Sequence, residues 1–451
     1  MTLDPSVFKA YDVRGVVPGE LDADGAYRIG RAYVEAFEPR RIAVGHDRRL
    51  SSPELHEAAI NGALDAGCDV DDIGLCGTEM LYYAVGEHGY EGGFTVTASH
   101  NPREYNGMKI VRRGALPVGG DSGLDRIREI AVRGEFAEAA RRGERRSRDV
   151  LPGFTERCLA FIDAAQVRPL HVVLDGMNGM AGVMLAPILE RLPIRAERYH
   201  FEPDGRFPNG EPNPLLEENR QFIIAEVKRT GADLGIAWDG DADRCFFVDD
   251  TGEFVPGDFI TALLAEALLR KHPGETILYD VRASWAVEDV VARHGGRALK
   301  SRVGHAFIKH RLRQENAIFA GEVSGHYYFR DFYGVDTGVV PALVMLELLS
   351  QEGRKLSELL APLRGRYFLS GEINSRVGDV AVKLQELKER YGPGGEGGQV
   401  THLDGVSVDF PDWHMNVRPS NTEPLLRLNL EARSQADMER RRDEVLELIR
   451  G

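Results

Sequence analysis

The chain has 451 residues, 43% of them hydrophobic and 28% charged, and 71 Asp and Glu against 56 Lys and Arg give a formal net charge of −15. That is the composition of a globular chain with sizeable cores, long enough for about three domains, or four if they are small. The acid excess argues against nucleic acid as a partner, because phosphate backbones need a basic footprint, so any phosphate bound here must be met by local Arg and Lys.

Residues 1–5 carry neither a basic nor an apolar leader. The longest apolar stretch, 338–349, contains Pro341 and Glu347 and is too short to span a bilayer. The expectation is a cytoplasmic protein with no membrane partner. Cys68, Cys76, Cys158 and Cys245 are scattered, which suggests neither a disulfide framework nor a zinc site.

In chain order, residues 8–15, FKAYDVRG, place Lys9, Tyr11, Asp12 and Arg14 in a short polar-aromatic loop from which Arg14 can reach an anion. Residues 41–45 are a β-branched run ending at His46-Asp47-Arg48-Arg49. Ser52 then reads as an N-cap, with Pro53 at the first helical position, for a helix that runs to Ala66 and stops at Gly67. Residues 92–96, GGFTV, read as a strand leading into TASHNP, 97–102. Pro102 cannot continue a ladder, so the chain turns there and leaves the Ser99 hydroxyl at a strand end, beside His100 and Asn101. Such a pair is common in surface turns, and its weight comes from the rest of the chain.

Two further units resemble the strand-helix unit at 41–66. One has a strand over 171–176 and a helix around 183–192; the other has a strand over 276–280 and a helix over 284–293. Each strand ends near an Asp, which suggests three α/β units with ligands outside the carboxyl ends of their strands. Between the first two, the Arg-dense stretch 141–149 reads as a solvated helix end and linker. Residues 202–214 and 392–398 read as loops. Near the C-terminus, 405–410, 413–417 and 425–431 look like strands, and Ser434 caps a last helix over 435–449 with Asp437 at N3, so the last unit reads as α+β.

Chemistry concentrates in three stretches. The apolar strand 234–238 delivers Asp239-Gly240-Asp241-Ala242-Asp243-Arg244. Three carboxylates at alternate positions repel one another unless a cation sits among them, and an all-oxygen set suits magnesium. An EF-hand fits poorly, since its sixth position would be Arg244 and its twelfth Asp250. A haloacid-dehalogenase-type phosphatase, with Asp239 as nucleophile, remains an alternative here, though it leaves TASHNP without a role. The second stretch, 321–326, GEVSGH, offers Glu322, Ser324 and His326, the acceptor and donor types that sugar hydroxyls need. His305 and Lys309 lie upstream. The third, 418–424, RPSNTEP, follows a fork donor, Arg418, with Ser420, Asn421 and Thr422, and can clamp phosphate.

In this order, FKAYDVRG, TASHNP with Tyr105-Asn106-Gly107-Met108-Lys109, DGDADR, GEVSGH and RPSNTEP resemble the α-D-phosphohexomutase superfamily over nearly the whole chain. The run 321–336 looks most like its bacterial phosphomannomutase branch. The resemblance implies three related α/β domains and a smaller α+β C-terminal domain around a central cleft, with expected bounds 1–148, 149–252, 253–366 and 367–451. It implies interconversion of sugar 1- and 6-phosphates, with mannose first, dual mannose and glucose specificity second and glucosamine phosphate third, in a monomer or homodimer. It further implies magnesium and a hexose 1,6-bisphosphate as activator and intermediate.

Carried over residue by residue, Ser99 holds the phosphoryl group. Asp239, Asp241 and Asp243 hold magnesium, completed by an oxygen of the phosphorylated Ser99. Arg14, Lys109 and Arg244 surround the reacting phosphate beside His100, and His326 or Lys109 moves protons. Tyr11, Arg282, His305, Glu322 and Ser324 contact the sugar, and Arg418, Ser420, Asn421 and Thr422 hold the other phosphate. The chain departs from many relatives at Arg282, where they have Lys, and at Val303, where they have Thr. Arg stays charged when buried, so Arg282 can position but not act as a base. A sugar-phosphate-binding protein without turnover is the reading from another class.

Overall fold

In the computed structural model, residues 3–420 and 425–451 are described. The chain is mixed α/β and packs as two compact units, Met1–Val255 with Ser324–Leu356, and Pro256–Val323 with Ser357–Gly451.

Two sheets lie wholly within the first unit. In the larger, Val13–Val16, Tyr105–Arg112, Gly92–Val96, Arg41–His46, Asp69–Leu75 and Arg145–Ser147 lie side by side in that order. Arg41–His46 pairs in parallel with both Gly92–Val96 and Asp69–Leu75, and the strand-helix alternation that follows each puts helices across the sheet. Helices Ala23–Phe37 and Ser52–Asp65 pack through glycines: a Cβ on Gly30 would lie 2.1 Å from the carbonyl oxygen of Ala59, and one on Gly62 equally close to that of Tyr27. The buried positions Ala26, Ile29, Tyr33 and Ala36 recur at helical spacing on the first of these helices.

Two local expectations are corrected. Ser52 is the first residue of its helix, not the cap, because its hydroxyl donates to Asp47 Oδ1 at 2.5 Å; Ser51 occupies the cap position, but its hydroxyl accepts from Asn106 Nδ2 at 2.9 Å instead of capping the helix. The Arg-rich linker contains a strand, Arg145–Ser147, paired in parallel with Val70 to Asp72. Its residues are exposed, and Arg145 is held by Asp72 at 2.7 Å and Glu57 at 2.6 Å, so charge pairing takes the place of apolar burial at this sheet edge.

In the smaller sheet, Leu234–Trp238 runs parallel to His171–Asp175 and antiparallel to Cys245–Asp249. Both partners of that antiparallel pair are wholly buried. The register sets Trp238 opposite Cys245, so the six residues 239–244 close a loop at the sheet end. Trp238 Nε1 donates to the Gly338 carbonyl at 2.8 Å, tying that loop to the start of the buried helix Val339–Glu352. Glu79 accepts the first backbone N–H groups of the same helix, from Gly338 and Val339, both at 3.2 Å.

In the second unit, Thr276–Asp280 lies between Arg297–Ser301 and Phe319–Gly321, all parallel. Ser284 caps the helix Trp285–Arg293 by accepting from Ala286 N at 2.9 Å. The C-terminal part is an antiparallel sheet in the order Phe368–Arg376, Leu425–Ala432, Trp413–Pro419, Val406–Asp409, Gln399–Thr401. Helices Val380–Tyr391 and Gln435–Arg450 cover its core, which includes Trp413, Met415, Leu428 and Val445. Ser434 accepts from Asp437 N at 3.1 Å, as the capping pattern predicts.

Asp258, also in this unit, is a buried carboxyl that accepts from Phe259 N at 3.0 Å and Ser284 N at 3.1 Å. Burial, then the nearby Glu431, pushes it up to about 7. A carboxyl raised in the folded state favours folding below its unfolded value near 4, and that advantage is lost as pH rises through about 7. Asp258→Asn is therefore expected to raise the melting temperature at pH 8 by a few degrees, about 1 kcal/mol after loss of one amide bond. At pH 4.5 the gain should vanish, and thermal melts at the two pH values check it. Among the described residues no helix is long and apolar enough to cross a membrane, and the four cysteines are buried free thiols.

Candidate active site

The parallel strand Gly92–Val96 ends against Thr97, Ala98 and Ser99. Ser99 sits in the left-handed region at φ +50°, an uncommon conformation for a residue with a Cβ. It is 1% exposed, and its hydroxyl donates to Asp239 Oδ2 at 2.9 Å, with His100 Nδ1 3.3 Å away. The serine loop and the acidic loop touch so closely that a Cβ on Gly240 would stand 2.3 Å from the Ser99 carbonyl oxygen. Gly240→Ala is thus expected to push the loops apart and lower kcat by about 100-fold with the fold kept, measurable as steady-state turnover beside a thermal melt.

Asp239, Asp241 and Asp243 converge in the loop, at most 1% exposed, with one oxygen from each within 4.8 Å of the others. Burial, then the charges of Asp241 and Asp243, pushes Asp239 up to about 8. Burial also works to raise Asp241, but Lys109 and the Thr78 hydroxyl outweigh it and hold that carboxyl below its usual range. The cluster attracts positive charge. Lys109 Nζ, on the strand Tyr105–Arg112, donates to Asp241 at 2.7 Å and to Asp243, and these two carboxylates keep its ammonium protonated against the cost of burial. Asp241 Oδ1 is buried with no hydrogen-bond partner. Three converging carboxylates, one with an unused oxygen, fit a hard divalent cation.

Cations line the rest of the loop. Arg244 Nε lies 3.4 Å from Asp239 Oδ2, and its Nη2 meets the His100 ring. Burial, then Arg244 and Arg14, drives the His100 imidazole well below its usual value, so it is neutral. Arg14 pairs with Asp12 at 2.8 Å and donates to the Ala98 carbonyl and, at 2.6 Å, to Asn101 Oδ1. His326 Nε2 is 3.9 Å from Asp243 Oδ1, and its Nδ1 is 3.0 Å from Ser324 Oγ. The expected residues Tyr11, Arg14, Ser99, His100, Lys109, Arg244, Ser324, His326 and the three Asp therefore lie in one unit.

The others fall in the second unit. Arg282 forms a fork on Asp280, at 2.9 and 2.8 Å, which together with Glu322 and Glu372 holds its charge firmly against burial. Glu322 accepts from Gly304 N at 2.9 Å, next to His305. Glu372 receives Arg418 at 3.0 Å and Arg427 at 3.2 Å. Burial works to raise the Glu372 carboxyl, but Arg282, Arg418 and Arg427 outweigh it and keep it below its usual range. Ser420 donates its N–H to the Leu425 carbonyl at 2.9 Å. Asn421 and Thr422 lie outside the described residues. Asp47 and Asp280 stand out in the sequence as strand-end Asp residues without an assigned role, whereas nothing in it points to a role for Arg49, Thr78 or Glu372.

Residues 5–138, 152–252 and 256–367 match the alpha/beta/alpha domains I, II and III of phosphoglucomutase/phosphomannomutase, and 372–448 match its C-terminal domain. The chain is 45% identical over 452 residues to a phosphomannomutase of Escherichia coli, covering 98% of this chain and 99% of that protein. It is 44% identical over 445 residues to phosphohexose mutases of Xanthomonas campestris pv. campestris (strain B100), with coverage of 98% and 99%. A solved phosphoglucomutase/phosphomannomutase family protein from Burkholderia thailandensis has a TM-score of 0.89 and 35% identity, over 99% of this chain and 97% of that one. Fold and sequence together define an enzyme of the phosphohexomutase class. The chain belongs to the phosphoglucomutase/phosphomannomutase family.

Proposed function

We propose that the protein is a phosphomannomutase that interconverts mannose 1-phosphate and mannose 6-phosphate. The observation that carries the reading is the buried Ser99 hydroxyl, donated to Asp239 at 2.9 Å at the edge of a three-carboxylate cluster. Ser99 carries a phosphoryl group. The bond from Ser99 Oγ to phosphorus breaks as the 6-hydroxyl of the sugar 1-phosphate attacks, and hexose 1,6-bisphosphate forms. Ser99 then takes the phosphate from carbon 1, and the 6-phosphate leaves.

Phosphoryl transfer needs positioning and charge neutralisation more than covalent help. Arg14, Lys109 and Arg244 provide the fixed positive charge. His326, with Ser324 on Nδ1, is the group assigned to take the proton of the attacking hydroxyl, with Lys109, 2.7 Å from Asp241, at the same cluster. Magnesium, held by Asp239, Asp241, Asp243 and an oxygen of phosphorylated Ser99, supplies further neutralisation when bound. Tyr11, Arg282, His305, Glu322 and Ser324 hold the sugar, and Arg418, Ser420, Asn421 and Thr422 the second phosphate. Dual mannose and glucose specificity is the second reading, favoured by the relatives named phosphohexose mutases.

The test is turnover of mannose, glucose and glucosamine 1-phosphates side by side, with magnesium and a trace of the matching bisphosphate. Fast formation of mannose 6-phosphate without free phosphate is expected. Equal glucose rates would establish the dual enzyme, and release of free phosphate without isomer would contradict a mutase.

A further inference from the structure

Asp47 and Arg49 lie behind the Ser99 loop, and the sheet register puts them there. His46 pairs in parallel with Val96, and Asp47 N donates to the Val96 carbonyl at 2.9 Å, which brings Asp47 level with Thr97. Asp47 is 2%, Arg49 1% and Thr97 0% exposed. Asp47 Oδ2 accepts from the Thr97 hydroxyl at 2.7 Å, and the same Thr97 oxygen accepts from Ser99 N at 2.9 Å. Asp47 Oδ1 accepts from Arg49 N at 2.9 Å and from Ser52 Oγ. The carboxylate therefore has its orientation fixed at both oxygens.

Arg49 completes the arrangement from the other side. Its Nη2 donates to the carbonyls of Ser99 at 2.8 Å and Asn101 at 2.6 Å, and its Nη1 to those of Pro102 at 2.7 Å and Tyr105 at 3.0 Å. Nε faces Asp47 Oδ2 at 3.4 Å, and the Phe207 ring covers the guanidinium at 5.1 Å. All four carbonyls belong to the segment 99–105 that carries the nucleophile. Both backbone polar groups of Ser99 are thus held, N–H by Thr97 and C=O by Arg49, at the one residue of the loop with a left-handed φ. A planar fork can serve four acceptors at once; an ammonium on a flexible stem cannot hold the same geometry.

We propose that Asp47 and Arg49, with Thr97 as the link, are positioning residues for Ser99. They hold the strained loop so that Oγ is presented at Asp239, and they set the rate at which this serine gives and receives a phosphoryl group. The proposal rests on the phosphoserine reading of Ser99.

The test follows labelled mannose 1,6-bisphosphate onto the full-length protein by rapid quench, beside steady-state kcat and KM for mannose 1-phosphate, in Arg49→Lys, Thr97→Val, Thr97→Ser and Ser99→Ala. Arg49→Lys and Thr97→Val are expected to slow labelling and kcat about 100-fold, the scale of a small misplacement of reacting atoms, with KM changed less than about threefold. Thr97→Ser, which keeps the hydroxyl, should recover most of the rate. If Arg49→Lys does not fold, Thr97→Val, close to the native side chain in shape, decides the matter by itself. Labelling rates within about threefold of wild type in folded variants, or losses that only track the folded fraction, overturn the proposal. Ser99→Ala should take no label; label on that variant overturns the phosphoserine reading itself, a failure distinct from a wild-type rate in Thr97→Val.

Discussion

Ser99→Ala is expected to abolish turnover, a loss of ~10⁵-fold or more, while the fold persists. On the proposed mechanism the hydroxyl removed is the group to which the phosphate is bonded, so no neighbour can replace it. His100 is a neutral imidazole against Arg244. Asp239 is buried and accepts a hydrogen bond from the Ser99 hydroxyl. The structural cost is small, because one hydrogen bond is lost, worth about 1 kcal/mol, and Asp239 Oδ2 keeps Arg244 Nε at 3.4 Å. Alanine must adopt the same φ of +50° that serine does, so the loop is strained equally in both proteins. Circular dichroism and a melt within a few degrees of wild type should accompany the dead enzyme. Near-normal turnover in the variant would contradict the account.

Asp241→Asn is expected to cost about 10³-fold in kcat and to weaken magnesium binding at least about tenfold. This carboxylate accepts Lys109 Nζ at 2.7 Å and the Thr78 hydroxyl through Oδ2, and keeps Oδ1 buried without a hydrogen bond. An amide removes one of the three carboxylates and leaves the buried Lys109 ammonium with Asp243 as its carboxylate partner. Removing one partner of a buried pair is far costlier than deleting an exposed one. A magnesium titration of wild type and variant, read by activity and by calorimetry, checks both numbers. Chelation should silence the wild-type enzyme and magnesium restore it. An unchanged magnesium dependence would remove Asp241 from the cation site.

The parts of this site that could be read from the sequence are the ones encoded locally. Asp239, Asp241 and Asp243 stand two residues apart after an apolar strand, and antiparallel pairing across Trp238 and Cys245 closes them into one loop. Ser99 follows a buried strand and precedes a proline. The work of Arg49 could not be read in this way, because its four acceptors lie about fifty residues away and meet it only through the parallel register of Arg41–His46 with Gly92–Val96. The helix cap was displaced by a local contact instead: Asp47 claims the Ser52 hydroxyl that capping chemistry would otherwise use. Arg145–Ser147 carries no apolar alternation, so its place at the sheet edge follows from ion pairs with Asp72 and Glu57 rather than from a strand pattern.

The most direct test of the central claim is to label the protein with hexose 1,6-bisphosphate carrying labelled phosphate, locate the label by peptide mapping, and chase it with mannose 1-phosphate. One label per chain on Ser99, passing quantitatively to the sugar and not to water, is the predicted result. Label on Asp239, or its release as free phosphate, would contradict the account.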